Sequence, residues 1–224
     1  MTALQQEHTA ITNSTTLYRK NVHDAADYKH AVLKPSTNKK LGRRVLKGAW
    51  SGMPFYTLTL VERETCDNSC EHWLDCYGNN MPFAHRFVGN DALMSRMLGE
   101  LDKLDVKHPH GYVVRLHILG DFFSTKYVAF WQSQLAQRPA LRVYGYTRHH
   151  PDGDIGAAVL ATRNMYPDTF KIRFSNLPSD DMSASSEHVS TDGITCPVQL
   201  DKTPSCGTCG LCWSAKKPII FLDH

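Results

Sequence analysis

The stretch "ETCDNSCEHWLDCYGNN", residues 64–80, places three cysteines close together in a chain of 224 residues. Three thiols suit neither a structural zinc site, which takes four ligands, nor a set of disulfides, which takes pairs. Three protein ligands leave one coordination position of a metal centre open, and open positions are where metal chemistry occurs. The stretch therefore predicts a reactive metal site at Cys66, Cys70 and Cys76.

The residues around this stretch predict an α/β fold. "FYTLTLV", residues 55–61, is short and rich in aromatic and β-branched residues, which is typical of a strand. Alternating strands and helices follow, which indicates parallel βαβ units. About five or six units are too few for a closed eight-stranded barrel, so we expect a partial (β/α) barrel with a cysteine-rich segment at its C-terminus. The later strands are predicted at "GYVVRLHILGD", "LRVYGYT", "FKIRFSN" and "KPIIFLDH", and the helices at "DALMSRMLGELDKL" with Asp91 as cap, "STKYVAFWQSQLAQ" with Ser124 as cap, and "GDIGAAVLATRNM".

The chain divides into three predicted parts, with boundaries near residues 50 and 195. Residues 1–50 form a polar, basic lead-in, 51–195 the partial barrel with the first cysteine loop, and 196–224 the second cysteine group with the last strand. "LPSDDMSASSEHVSTDG", residues 177–193, is predicted to be a polar loop within the second part.

The composition favours a protein of the cytoplasm with no membrane partner. The chain has no apolar run of 18 residues, and its N-terminus has no apolar leader segment. The net charge of +3 is too small to argue for nucleic acid by itself. Five positive charges lie between Lys39 and Lys47, so residues 39–48 are either a solvated part of the lead-in or a patch for phosphate or nucleic acid.

Seven cysteines in a cytoplasmic chain are more readily metal ligands than disulfides, because thiols stay reduced there. They divide into three and four, and the second group has the spacing C-x9-C-x2-C-x2-C. A C-x2-C-x2-C run with a remote cysteine before proline resembles bacterial ferredoxins, which favours a closed [4Fe–4S] site; structural zinc remains the alternative. A cluster here would join the last strand to the rest of the fold. The second group consists of Cys196, Cys206, Cys209 and Cys212.

Three thiolates can hold three irons of a [4Fe–4S] cluster and leave the fourth iron open. A three-cysteine loop after the first strand of a partial barrel resembles the radical S-adenosylmethionine (radical SAM) superfamily. The spacing here is C-x3-C-x5-C, whereas the common spacing in that superfamily is C-x3-C-x2-C. The resemblance implies two [4Fe–4S] clusters, S-adenosylmethionine bound at the open iron, a 5′-deoxyadenosyl radical, and an electron donor of the flavodoxin or ferredoxin type.

The resemblance also implies ligand-binding residues at strand ends. Tyr77, or else Trp73, would be the aromatic residue beside the first cluster. Gly120 and Asp121 match in part the short motif that receives the amino group of S-adenosylmethionine, while Arg173 and Ser175, with Asn176 beside them, would contact its carboxylate or ribose. The chain also resembles small phage and bacterial proteins that carry "CYGNNMPFAHR".

Several alternatives stay open at this level. Three cysteines with His72 or His85 could form a zinc site. An open iron could act as a Lewis acid in a non-radical dehydratase, or remove sulfur in a desulfurase. The third alternative is a metal-stabilised module that binds nucleic acid through residues 39–48.

Overall fold

The structure is a computed structural model that describes residues 9–177 and 179–222. The outer ends of the first and third predicted parts, at residues 1–8 and 223–224, lie outside the described residues. The rest belongs to the α/β class, with a central sheet of five strands that is mostly parallel. No helix among the described residues has the length and apolar character needed to cross a bilayer.

The central sheet has the strand order β2-β3-β5-β6-β7, in which β2 is antiparallel to β3 and all other neighbours are parallel. Three helices, α2 to α4, precede β5, β6 and β7 in turn, so the predicted alternation of helix and strand is confirmed. The strands are β1 Val22–His23, β2 Lys34–Pro35, β3 Phe55–Thr57, β4 Arg86–Phe87, β5 Tyr112–Leu116, β6 Leu141–Thr147, β7 Phe170–Phe174, β8 Ala184–Ser186, β9 Ile194–Thr195 and β10 Ile219–Phe221. The helices are α1 Thr9–Thr12, α2 Asp91–Lys107, α3 Thr125–Gln137, α4 Asp154–Met165, α5 Cys206–Cys209 and α6 Leu211–Ser214, with 3₁₀ turns at Arg19–Asn21 and Tyr77–Asn80.

Helix caps explain where two of the long helices begin. The hydroxyl of Ser124 accepts a hydrogen bond from the backbone N–H of Tyr127 at 3.1 Å, which confirms the predicted cap of α3. The predicted cap of α2 is wrong by one residue. Asn90 is extended and accepts from Leu93 N–H at 2.9 Å, whereas Asp91 lies in the first turn and pairs with Lys126.

The second predicted strand is shorter than "GYVVRLHILGD", because β5 ends at Leu116. The chain beyond it still runs beside the continuation of β3. Ile118 N–H donates to the carbonyl of Leu58, and Leu60 N–H donates to that of Leu119. The regular pairing is lost before Gly120, whose φ of +80° ends the extended conformation.

The part of the lead-in that the structure describes, from residue 9 onward, contains strands and core residues, whereas its cations between Lys39 and Lys47 are exposed. Its strand β1 pairs with β4, and β2 forms the edge of the central sheet. Apolar side chains of this part, among them Ile11 and Val45, are fully buried. The lead-in therefore packs against the sheet and contributes to the core.

The region predicted as a polar loop, residues 177–193, contains a strand. β8 pairs in parallel with β10, and β10 pairs in parallel with β9 on its other edge. One isolated parallel bridge between Ser175 and Ala184 links the end of β7 to the start of β8. The small sheet thus follows directly on the last strand of the central sheet.

A second apolar cluster lies beneath the C-terminal cysteine segment. The rings of Trp50 and Trp213 stack with centroids 5.6 Å apart and an interplanar angle of 7°. Phe55 and Tyr144 of the sheet pack against Trp213. This cluster joins the lead-in, the sheet and the segment that carries Cys212.

Candidate functional site

The first cysteine group lies at the carboxyl edge of the parallel sheet. The thiols of Cys66, Cys70 and Cys76 are half-buried, and the Cys66 thiol lies close enough to the other two to interact with them electrostatically. Burial raises the pKa of all three thiols. A metal that binds here must therefore displace three protons, which makes its binding pH-dependent.

Two buried arginines hold the loop that carries these cysteines. Arg63 donates to the carbonyl of Trp73 and to the side chain of Asn79, at 2.9 Å each. Arg86 pairs with Glu62 at 2.7 Å and donates to the carbonyl of Gly78 at 3.0 Å. Both guanidinium groups donate to loop carbonyls, so they fix the path of the backbone on either side of Cys76.

The four cysteines of the second group line one narrow cavity of about 10 Å³. Burial raises the pKa of Cys212, and it raises that of Cys206 to about 12. The thiol of Cys206 interacts electrostatically with those of the other three, so the structure brings all four together. Among the residues that the structure describes, no group of three or more His, Cys, Asp or Glu side chains is arranged to hold a single metal ion.

The glycines between these cysteines are required by the backbone. Gly210 ends α5 in the left-handed conformation, with φ of +76°. A Cβ atom at Gly207 would lie 2.2 Å from the carbonyl oxygen of Arg44. The N–H of Cys206 donates to Lys40 O and that of Gly207 to Leu41 O, so the basic stretch of the lead-in binds α5 through its backbone.

Arg173 has a different role from the one that the resemblance implied. Its side chain is fully buried on β7, and all five of its N–H donors go to backbone carbonyls. A guanidinium with no remaining donor has none for a ligand carboxylate, so Arg173 joins the sheet to the C-terminal cysteine segment. The acceptors are the carbonyl groups of Cys212, Ser183, Lys217, Leu211 and Ala215.

An open cleft of about 410 Å³ lies at the carboxyl ends of β5, β6 and β7, with Cys70 of the first cysteine group in its lining. We call it the carboxyl-edge cleft; the residues used below are Cys70, Tyr77, Arg115, Tyr146, Arg148 and Ser175. Arg115 stacks over the ring of Tyr146 at 4.6 Å. Tyr146 in turn packs against the apolar cluster that contains Cys212, so the wall of this cleft borders the second cysteine group.

Three of the expected ligand-binding residues line this cleft, namely Tyr77, Ser175 and Asn176. The side chain of Asn176 is engaged with Glu71 at 2.5 Å. Sequence reasoning missed Arg148, whose Nε atom is buried and has no hydrogen-bond partner among the described residues. A signal was available, because Arg148 directly follows the strand end at Thr147.

Gly120 and Asp121 form a buried turn against the first cysteine loop. A Cβ atom at Gly120 would lie 2.5 Å from Thr65 Oγ1, and Thr65 directly precedes Cys66. The Asp121 carboxylate accepts from the backbone N–H groups of Phe122 and Arg148, at 2.7 Å each. Burial raises the pKa of Asp121, and the nearby His149 opposes this effect. The turn therefore positions Arg148 at the cleft.

The histidines considered for a zinc site have other contacts. His85 lies 2.8 Å from His23, ring nitrogen to ring nitrogen, and the two rings are stacked. His72 lies 3.4 Å from the carboxylate of Asp75 and lines the carboxyl-edge cleft with Cys70.

Comparisons with known proteins point to one phage family. The family described as "Gene product 88" matches residues 30–191. The "Gene 88 protein" of Mycobacterium phage L5 is 25% identical over 155 residues, a match that covers 58% of this chain. The match spans 62% of the length of that phage protein. No solved structure matches the chain.

Proposed function

The chain belongs to the gene product 88 family, and we propose that it is a radical SAM-like enzyme with two [4Fe–4S] clusters. Cys66, Cys70 and Cys76 would hold the cluster with the open iron. The four cysteines of the second group would hold an auxiliary cluster. When loaded, the first centre supplies one-electron cleavage of S-adenosylmethionine to a 5′-deoxyadenosyl radical.

The observation that carries this proposal is the position of the first cysteine group. Three thiols lie at the carboxyl edge of a parallel sheet, where that of Cys66 interacts electrostatically with the other two, and Cys70 lines a cleft large enough for a small molecule. In open and barrel-shaped α/β folds, ligands bind at this edge. A fourth thiol is not part of this group, which leaves one position for S-adenosylmethionine.

The strand order supports a partial barrel. β3, β5, β6 and β7 are parallel neighbours in the order of the chain, as in a (β/α) barrel. The bridge between Ser175 and Ala184 carries the same order on to β8. On this reading the small sheet is the last part of a curved, open wall around the carboxyl-edge cleft.

The second cysteine group fits a metal centre of negative charge. Arg173 is fully buried, and it forms no ion pair with a carboxylate among the residues described. A buried cation is costly unless an anion compensates it, and both Cys212, when ionised, and Asp180 favour the charged form of Arg173. Thiolates that hold a cluster would supply that charge, and Arg115 adds a second cation on the side of Cys206 and Cys212.

The chain's own residues would bind and orient the ligand in the carboxyl-edge cleft. Arg148 takes the place that the resemblance gave to Arg173, because its guanidinium lines the cleft and has only one ion pair, a 3.5 Å contact with Glu71, among the described residues. Tyr77 is half exposed beside Cys76 and would cover the adenosine or substrate. Ser175 offers a hydroxyl group at the opposite wall.

A pair of matched cysteine variants tests the proposal. We expect the anaerobically reconstituted wild-type chain, reduced with dithionite, to form 5′-deoxyadenosine from S-adenosylmethionine. Cys76→Ala should lose this activity together with one of the two clusters, because two thiolates do not hold an open cubane. Cys209→Ala, the control, should retain the first cluster and bind S-adenosylmethionine there. Full cleavage activity in Cys76→Ala would refute the assignment.

A further inference from the structure

A second, basic cleft of about 430 Å³ opens at the opposite edge of the sheet from the carboxyl-edge cleft. Its cations are Lys47, Arg142 and Lys171, and we call it the basic cleft. Arg142 and Lys171 are each the second residue of their strands, β6 and β7, which places the basic cleft at the amino edge.

Positive charge in this cleft exceeds negative charge. The lining of the basic cleft contains three cationic side chains and one carboxylate, that of Asp168. The pKa of Lys171 is lowered by burial and by the neighbouring charges of Lys216 and Arg173, with Asp168 opposing them. Positive groups held together with little compensation attract a partner of opposite charge.

The basic cleft reaches the second cysteine group directly. Cys209 and Gly210 form part of its lining, together with Trp213. Tyr146 in the wall of the carboxyl-edge cleft packs against the apolar cluster that contains Cys212 of the same group. The second cysteine group therefore lies between a basic surface at one edge of the sheet and the first cysteine group at the other.

We propose that the basic cleft docks an acidic protein, a small one-electron carrier, beside Cys209. This inference rests on the proposed function, because only a redox centre at the second cysteine group gives such a partner a reason to bind there. Charge complementarity would govern the orientation and rate of docking. Lys47 belongs to a stretch whose other cations, Lys39, Lys40, Arg43 and Arg44, are also exposed.

Nucleic acid fits the basic cleft less well. Proteins that bind single strands offer aromatic faces on which bases stack. The two aromatic side chains in the lining, Trp50 and Trp213, are buried and stacked on each other. Binding of nucleic-acid phosphates would also give no role to Cys209, which lies in the lining of the basic cleft.

Charge reversal with a matched control tests the docking surface. The probe is a purified acidic flavodoxin, oxidised, added to the anaerobically purified full chain at 50 mM and 300 mM salt. The cleft variant is Lys47→Glu with Arg142→Glu and Lys171→Glu. The control, Lys20→Glu with Lys29→Glu and Lys103→Glu, has the same net charge, and its changes are exposed and outside the cleft.

We expect the wild type and the control to bind flavodoxin with similar Kd, more weakly at high salt, and the cleft variant to bind at least about tenfold more weakly. If the triple variant fails to fold, the double variant Lys47→Glu with Lys171→Glu is measured in its place. Equal binding by cleft and control variants would overturn the inference, as would no binding by the wild type. So would cleft-dependent binding of a thymidine 20-mer in place of flavodoxin.

This outcome is separable from that of the proposed function. Binding of oxidised flavodoxin involves no cleavage of S-adenosylmethionine, and the cleavage assay uses dithionite in place of a protein donor. Cys76→Ala, which should lose cleavage, should therefore bind flavodoxin as the wild type does.

Discussion

Arg173 shows at the scale of one residue how the C-terminal segment is held. A single guanidinium donates to five carbonyl groups, four of them between Leu211 and Lys217. The segment there has only the short helix α6 and the turn after it. Arg173 therefore holds this segment in place through side-chain hydrogen bonds, as backbone pairing holds a strand in a sheet.

Arg173→Met should lower the free energy of unfolding by at least about 3 kcal/mol, because several buried carbonyls each lose a donor at about 1–3 kcal/mol. Arg173→Lys keeps the charge but has fewer donors, so its loss should be intermediate. Arg142→Gln on the neighbouring strand is the control, since Arg142 donates only to carbonyls of its own turn among the residues described. Urea unfolding measures all three, and a loss below 1 kcal/mol for Arg173→Met contradicts this role.

A buried histidine makes stability depend on pH. His117 lies 3.0 Å from the hydroxyl of Tyr127, and burial lowers its pKa to about 3, with the charges of Arg115 and His149 adding to the effect. The folded state keeps this ring neutral, whereas the unfolded state takes up a proton below about pH 6.5. Stability from this group is therefore full above pH 6.5 and is lost as pH falls toward 3.

His117→Gln should reduce the pH dependence of stability. Its amide can replace Nε2 in the contact with Tyr127 but does not titrate. Between pH 6.5 and pH 4, wild type should lose up to about 1.4 kcal/mol per pH unit more than the variant, in urea unfolding at each pH. Parallel pH profiles for the two chains would show that His117 does not contribute.

At this scale the sequence predicted the grouping of the cysteines but not the roles of the arginines. Cysteine spacing is a local property of the sequence, so a group of three cysteines and a group of four could be recognised from it. Whether Arg173 points toward a ligand or into the cysteine segment depends on what covers that face of β7, and this is decided by residues nearly 40 positions away.

Among the elements, long helices were predictable because their caps and apolar stripes are local. Ser124 and the stripe of α3 are examples. β8 was missed because "ASS" has none of the apolar alternation of a strand. It forms because β10 offers a paired edge, and a partner distant in sequence leaves no local signal.

The C-terminal segment should keep its structure without the auxiliary cluster. β10 is paired on both edges, its Ile219 and Ile220 are buried, and Arg173 holds the turn before it. Cys209→Ala should therefore keep slow amide hydrogen exchange in β10, whereas Arg173→Met should lose it. Fast exchange across residues 211–221 in Cys209→Ala would instead support the expectation that a cluster fixes this strand.

For the whole molecule, the sheet separates two clefts that carry different charge and chemistry. The carboxyl-edge cleft brings Cys70 near Arg115 and Arg148, and the basic cleft brings Cys209 near three other cations. The α/β class was predictable from alternation, while the packing of the lead-in against α5 was not, because it depends on backbone contacts such as that of Gly207 with Leu41.

The metal content of anaerobically purified protein tests the central claim most directly. Two [4Fe–4S] clusters, one held by three thiolates and the other by four, predict about eight irons and eight sulfides per chain, with little zinc. Air should bleach the brown colour first at the cluster with the open iron. Stoichiometric zinc without sulfide would contradict the account.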